Sequence, residues 1–247
     1  MSPALFLGLF LLGQEAPPVP SAPPSGNPNW QRCLNPDVDV RINGCTAVIL
    51  AAADKPRDLA EAYHNRANAF RGKRLFDLAL RDYNDALALR PQFADAIGDR
   101  GVTLLLMGRY VDSIPDLTRM VAAGSESTYT YDRGLAYEQL GLTDLAIADF
   151  SAAIAQGPRD ARRIERRGTV YFRKQDYDKA LADYEQALLV NPQYSPALYG
   201  RGIVRQIKGD APGGSADLAR ARRIQPDIDR EMTGAGVKPL AEHPAEN

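Results

Sequence analysis

Histidine and cysteine are scarce in this chain, and their scarcity excludes most catalytic chemistry. The 247 residues include two histidines, His64 and His243, and two cysteines, Cys33 and Cys45. The sequence offers no nucleophile–base pair, no glycine-rich phosphate loop and no histidine–carboxylate metal cluster. Two thiols twelve residues apart, with no second pair nearby, do not supply the four ligands of a structural zinc site. We therefore expect a protein that is not an enzyme and uses no cofactor or metal.

Net charge and long apolar runs are lacking as well. The 30 Lys and Arg residues oppose 31 Asp and Glu residues, a balance of −1, so no global field attracts nucleic acid or an anionic membrane. The apolar run from Ala4 to Leu12 is too short to span a bilayer but has the length of a signal-peptide core. No basic residue precedes it, and the cleavage sites at Ala16 and Ala22 are poor. We expect a periplasmic or secreted protein with no stable membrane insertion after signal removal, or a cytoplasmic one if the run is not a signal.

What the sequence does contain is a pattern that recurs five times at a spacing of 33 or 34 residues. Each copy has a small residue, a second small residue twelve positions later, and a large apolar residue four positions further on. An alanine follows in four copies, with Met120 in the second, and a proline closes the same four copies. The three shared positions are Ala67, Gly101, Gly134, Gly168 and Gly202; Ala79, Ser113, Ala146, Ala180 and Gly214; and Tyr83, Leu117, Phe150, Tyr184 and Leu218.

This pattern resembles the tetratricopeptide repeat, a helix–turn–helix unit of about 34 residues. The resemblance implies an all-α fold, a right-handed α-solenoid in which stacked helix pairs share one core and form a concave groove. It also divides the chain. The expected segments are a signal peptide (1–16), a Pro-rich tether (17–28), a degenerate repeat (29–59), five repeats (60–93, 94–126, 127–160, 161–194 and 195–228), and a short cap with a disordered tail (229–247).

An arginine precedes each first small residue, and an aspartate follows each arginine sixteen positions later. Because the arginine is on the first helix and the aspartate on the second, a bidentate pair would pin the two helices or link adjacent repeats. The alternative is a charged row that binds a ligand. Equal and opposite charges cancel inside each repeat, which favours the structural interpretation. The pairs are Arg66/Asp82, Arg100/Asp116, Arg133/Asp149, Arg167/Asp183 and Arg201/Asp217.

The two cysteines fall on the same repeat frame. Counting back 34 residues from Ala67 reaches Cys33, and Cys45 falls where Ala79 does. These are the positions where helix backbones approach most closely, so a disulfide is expected to staple the degenerate repeat. A buried reduced pair is the alternative. With the apolar leader and the proline tether, the arrangement also resembles exported tetratricopeptide proteins of alphaproteobacteria, which implies a periplasmic location.

The resemblance also implies which residues line the groove, since positions 2, 5, 9 and 12 of each first helix face it in this family. We expect the groove to bind a peptide or helix of another protein. A periplasmic glycan or small envelope molecule, stacked on Tyr131, Phe172 and Tyr199, is the alternative ligand. Packing between neighbouring repeats is the alternative role for several of these residues, although we expect truncation of Tyr131 or Phe172 to spare the fold. The candidates are His64, Asn68, Arg71, Val102, Leu105, Tyr131, Leu135, Glu138, Arg162, Glu165, Phe172 and Tyr199.

Overall fold

A computed structural model describes residues 27–51, 56–125 and 127–238. These residues form thirteen α-helices and no strand, in keeping with the all-α solenoid that the sequence predicts. The predicted signal peptide and most of the proline tether lie outside the described residues. The helices are α1 (Pro28–Cys33), α2 (Val38–Ala51), α3 (Pro56–Gly72), α4 (Phe76–Leu89), α5 (Ala94–Leu106), α6 (Tyr110–Ala122), α7 (Ser127–Gln139), α8 (Thr143–Gln156), α9 (Ala161–Arg173), α10 (Tyr177–Val190), α11 (Ser195–Ile207), α12 (Ala211–Ile224) and α13 (Ile228–Gly234).

Each helix packs mainly on its neighbours in the chain, and the small residues stand where two backbones come together. Phe150 of α8 is fully buried against Gly134 of α7, where an added Cβ would lie 2.8 Å from the ring. A Cβ on Gly202 would lie 2.9 Å from the carbonyl oxygen of Gly214 on the facing helix. A larger side chain at either glycine would push the helix pair apart. The recurring small positions are therefore the sites of closest helix approach.

The turn between the two helices of a repeat uses a left-handed residue in all five copies. The residue is glycine in three copies (Gly108, Gly141 and Gly209), but Arg74 and Gln175 take the same conformation, with φ of 60° and 61°. In the first repeat the next amide, that of Leu75, donates to the carbonyl oxygen of Phe70 at 2.9 Å. This bond closes the helix with a Schellman motif. The turn geometry is thus kept where the sequence has no glycine.

All five arginine–aspartate pairs form, and each is bidentate. In the third repeat Arg133 Nε donates to Asp149 Oδ2 at 2.8 Å, and Nη2 donates to Oδ1 at 2.7 Å. The remaining nitrogen, Nη1, lies 3.3 Å from Thr118 Oγ1 on the second helix of the preceding repeat. Arg100 and Arg167 make the equivalent third contact with Asn84 and Ser151. One guanidinium therefore joins the two helices of its own repeat and ties that repeat to the previous one.

The N-terminal repeat is shortened and cross-linked. Cys33, the last residue of α1, forms a disulfide with Cys45 in the middle of α2, and their Cα atoms are 4.4 Å apart. The prediction of a disulfide is confirmed. Gly44 allows this approach, because a Cβ there would lie 2.4 Å from the backbone nitrogen of Cys33. Trp30 and Val48 are buried around the bridge and form a small core with Ala62 of the next repeat.

Candidate binding surface

The first helices of consecutive repeats lie side by side: α3 contacts α5, α5 contacts α7, and α9 contacts α11. We call the side of this row that carries positions 2, 5, 9 and 12 of each first helix the first-helix face. In stacked helical repeats this row forms the concave surface. All twelve predicted groove residues belong to these helices, but the structure divides them into an accessible group and a buried group.

A polar cluster lies at the N-terminal end of the first-helix face. His64 Nε2 lies 2.8 Å from Asp99 Oδ2, and Arg71 Nη1 lies 2.9 Å from Asp99 Oδ1. Asn68 accepts a hydrogen bond from the hydroxyl of Tyr83 at 2.5 Å. Burial alone would raise the pKa of Asp99, but the hydrogen bond from His64 and the charge of Arg71 outweigh it and lower that pKa below its usual value. Asp99 thus remains a carboxylate that orients His64 and Arg71.

The middle of the face is apolar and partly open. Val102 and Leu105 on α5 and Leu135 on α7 are each partly exposed. Gly98 leaves room that Tyr129 occupies, since a Cβ on Gly98 would lie 2.4 Å from the hydroxyl oxygen of Tyr129. Together with the polar cluster, these side chains make up an accessible area on the neighbouring first helices α3, α5 and α7.

Three aromatic candidates are not on an open surface. Tyr131, Phe172 and Tyr199 are 6%, 7% and 1% exposed, and each belongs to a core cluster. Tyr131 packs against Phe150 with ring centroids 5.4 Å apart, and burial raises its pKa to about 12. This burial argues against the expectation that truncating Tyr131 or Phe172 spares the fold, because removing a buried ring typically costs about 3–5 kcal/mol. The same burial leaves no free ring face on which a sugar could stack.

Two acidic candidates are also internal. The Glu138 carboxylate is held by Arg166 Nε at 2.7 Å and by Arg173 Nη2 at 2.5 Å. Glu165 accepts a hydrogen bond from Thr169 at 2.7 Å. Burial, with added repulsion from Glu138 and Glu231, raises the pKa of Glu165 to about 7. Both carboxylates are buried: Glu138 joins α7 to α9 of the next repeat, and Glu165 is bonded within α9.

The predicted set therefore divides into two groups, which alternate along the chain between residues 131 and 165. Arg162 stays open at the surface, with its side chain 62% exposed and its guanidinium 5.2 Å from the centre of the Tyr131 ring. The accessible candidates are His64, Asn68, Arg71, Val102, Leu105, Leu135 and Arg162, and the buried ones are Tyr131, Glu138, Glu165, Phe172 and Tyr199.

The structure adds two features that the sequence analysis missed. Asp99 organises the polar cluster, although nothing in the repeat pattern marks it. The tail predicted to be disordered is ordered at its start: α13 ends at Gly234, and Val237 beyond it is fully buried. The repeat spacing carried a signal for this second feature, because Gly236 falls 34 residues after Gly202, the first small residue of the fifth repeat.

Neither a metal centre nor a membrane span is found in the described part of the chain. None of its residues form a group of three or more His, Cys, Asp or Glu side chains that could hold a metal ion. Within the same residues, each helix is too short or too polar to cross a bilayer.

Stacked helix pairs with a shared core define the class of helical-repeat solenoids, and comparison with known proteins specifies the family. Sequence models of the tetratricopeptide repeat match residues 64–128, 107–161 and 165–194, together more than half of the chain. The chain belongs to the tetratricopeptide repeat family. No curated protein sequence matches it.

Solved structures of the same fold are similar over most of the chain. One is YrrB, described as a TPR protein with an unusual peptide-binding site, with 21% identity, a TM-score of 0.62, and coverage of 78% of this chain and 99% of YrrB. A MamA structure is 23% identical, with a TM-score of 0.62 over 75% of this chain and 98% of its own. MamA from Desulfovibrio magneticus RS-1 is 17% identical, with a TM-score of 0.63, and the match covers 69% of this chain and 97% of the MamA chain. At these identities the likeness concerns the fold.

Proposed function

We propose that this protein is a non-enzymatic scaffold that binds a peptide or helical segment of another protein on the first-helix face. Tetratricopeptide proteins bind other proteins or peptides, and the family assignment supports that general role for this chain. The observation that carries the finer proposal is the accessible area across α3, α5 and α7. It combines the partly exposed Val102, Leu105 and Leu135 with the polar group of His64, Asn68 and Arg71.

This arrangement suits an extended or helical peptide. Apolar side chains of a ligand would bury Val102, Leu105 and Leu135, which supplies most of the affinity in such grooves. The polar group at one edge would fix the orientation of the ligand, since directional hydrogen bonds specify register. Apolar groove residues next to oriented polar residues are the usual composition of a peptide site.

An exported location completes the proposal. The Cys33–Cys45 disulfide supports it, because disulfides persist in oxidising compartments such as the periplasm. The apolar run from Ala4 to Leu12 supports it as well, as a signal-peptide core. The ligand would then be a protein of the same compartment.

Photo-cross-linking in living cells tests the site. A photoreactive amino acid at Leu105 is expected to yield a protein adduct that protease treatment removes. The matched control is Val111, an exposed residue on the second helix of the same repeat, which is expected to yield none. Adducts from Val111 and none from Leu105 would contradict the proposed surface. A protease-resistant adduct at Leu105 would identify a non-protein ligand.

A further inference from the structure

The first-helix face is covered at its C-terminal end by the chain itself. Ile203 occupies the position of Asn68, Val102 and Leu135, which are partly exposed, yet Ile203 is 1% exposed. It shares a core cluster with Ile228, Met232 and Val237, which belong to α13 and the residues just after it. The segment 228–238, here called the C-terminal segment, therefore packs in one cluster with Ile203, whose equivalents are partly exposed in the first three repeats and buried in the fourth, at Thr169.

The C-terminal segment does not continue the solenoid as a regular repeat. It begins where the first helix of a sixth repeat would begin, but α13 ends at Gly234 after seven residues, about half the length of the other first helices. Gly236 then takes a left-handed conformation, with φ of 84°. A Cβ on Gly236 would lie 3.0 Å from Cδ of Arg173, the last residue of α9. The segment thus runs from α12 across α11 to the end of α9, along the first-helix face.

The C-terminal segment has the chemistry of a docked peptide. Its three buried residues are Ile228, Met232 and Val237, while Arg230 and Lys238 point to solvent. Asp229 anchors the start of the segment through a bidentate pair with Arg222, with Nη2 2.7 Å and Nε 2.8 Å from its carboxylate oxygens. A helix this short is not stable alone in water, so its order depends on the surface beneath it.

We propose that the C-terminal segment is a displaceable intramolecular ligand of the surface formed by α9, α11 and the end of α12. The external ligand of this surface is then a short amphipathic helix of another protein, with aliphatic or methionine side chains at the places of Ile228, Met232 and Val237. Its first turn carries a carboxylate for Arg222, in the place of Asp229. This inference extends the proposed peptide-binding function to a second, self-occupied part of the same face.

A labelled synthetic peptide of residues 225–238 tests this proposal on the full chain. The variant Met232→Asp/Val237→Asp weakens the internal contact and is expected to bind the peptide at least about tenfold more tightly than wild type does. The matched control, Arg230→Asp/Lys238→Asp, changes two exposed residues of the same segment and is expected to bind like wild type. Equal or undetectable binding by the wild type and the Met232→Asp/Val237→Asp variant, with that variant folded, would overturn the proposal.

Hydrogen exchange of the wild-type protein decides the question if that variant does not fold. The amides of α13 are expected to exchange through local opening, well before the amides of α11. Exchange of α13 at the rate of α11 would make the segment an integral part of the fold and end the proposal.

Because the C-terminal segment does not cover Leu105, adducts at Leu105 without peptide binding would refute only this inference. Peptide binding without adducts would refute only the proposed surface on α3, α5 and α7.

Discussion

Replacing Asp149 with alanine is expected to lower the free energy of unfolding by about 3 kcal/mol. The change removes both hydrogen bonds that hold Arg133 and leaves its guanidinium, whose side chain is 16% exposed, without its partner between two helices. An unpaired charge in such a place costs its desolvation energy with no compensating attraction. Urea unfolding followed by circular dichroism measures the loss.

A double-mutant cycle separates the pair from its surroundings. Arg133→Met with Asp149→Ala is expected to lose less stability than the two single changes added together, by about 1 kcal/mol or more. The matched control is Asp144→Ala, which breaks an exposed ion pair with Lys174 and is expected to cost at most about 0.5 kcal/mol. If Asp149→Ala behaves like the control but abolishes partner binding, the pairs form a ligand-binding row instead.

Removing the disulfide is expected to destabilise the N-terminal repeat by about 3 kcal/mol. The reason is that a cross-link of this span lowers the conformational entropy of the unfolded chain. The repeat depends on the bridge because its own core is small: Trp30, Val48 and the cysteines share one buried cluster with Ala62 of the following repeat. Cys33→Ser with Cys45→Ser should therefore accelerate hydrogen exchange in α1 and α2.

The position of this effect is as informative as its size. Each repeat contacts chiefly its neighbours, so the amides of α8, three repeats away, should exchange at the wild-type rate. Treating the wild-type protein with a reductant supplies the control without mutation and should reproduce the pattern. Unchanged exchange in α1 and α2 would show that the bridge contributes nothing to the end repeat.

The scaffold could be predicted from the sequence because its determinants recur. A small residue at Gly134 and a ring at Phe150 mean little alone, but five copies at one spacing identify the sites of close helix approach. The same repetition predicted the ion pairs, because an aspartate follows each arginine at the same spacing in all five copies. The left-handed turn was predictable only in part, since Arg74 and Gln175 adopt φ values that the sequence signals elsewhere with glycine.

The binding surface could be predicted less well, because exposure depends on how repeats twist against one another. Position 5 of the first helix is accessible at His64 but buried at Tyr131 and Tyr199, and no local pattern separates these cases. The C-terminal segment was predicted only in part. A short cap was expected after residue 228, but the composition beyond it suits a disordered tail, and the cluster with Ile203 shows that Val237 is part of a core.

The affinity of the protein for its cross-linked partner segment tests the central claim most directly. Leu105→Asp places a charge in the apolar middle of the accessible area and is expected to weaken binding at least tenfold, or about 1.4 kcal/mol, with little change in melting temperature. Val111→Asp, on the second helix of the same repeat, should leave the affinity at its wild-type value. Fluorescence anisotropy with a labelled partner peptide measures both. Wild-type affinity in Leu105→Asp and a loss in Val111→Asp would place the binding surface on the second helices and contradict the account.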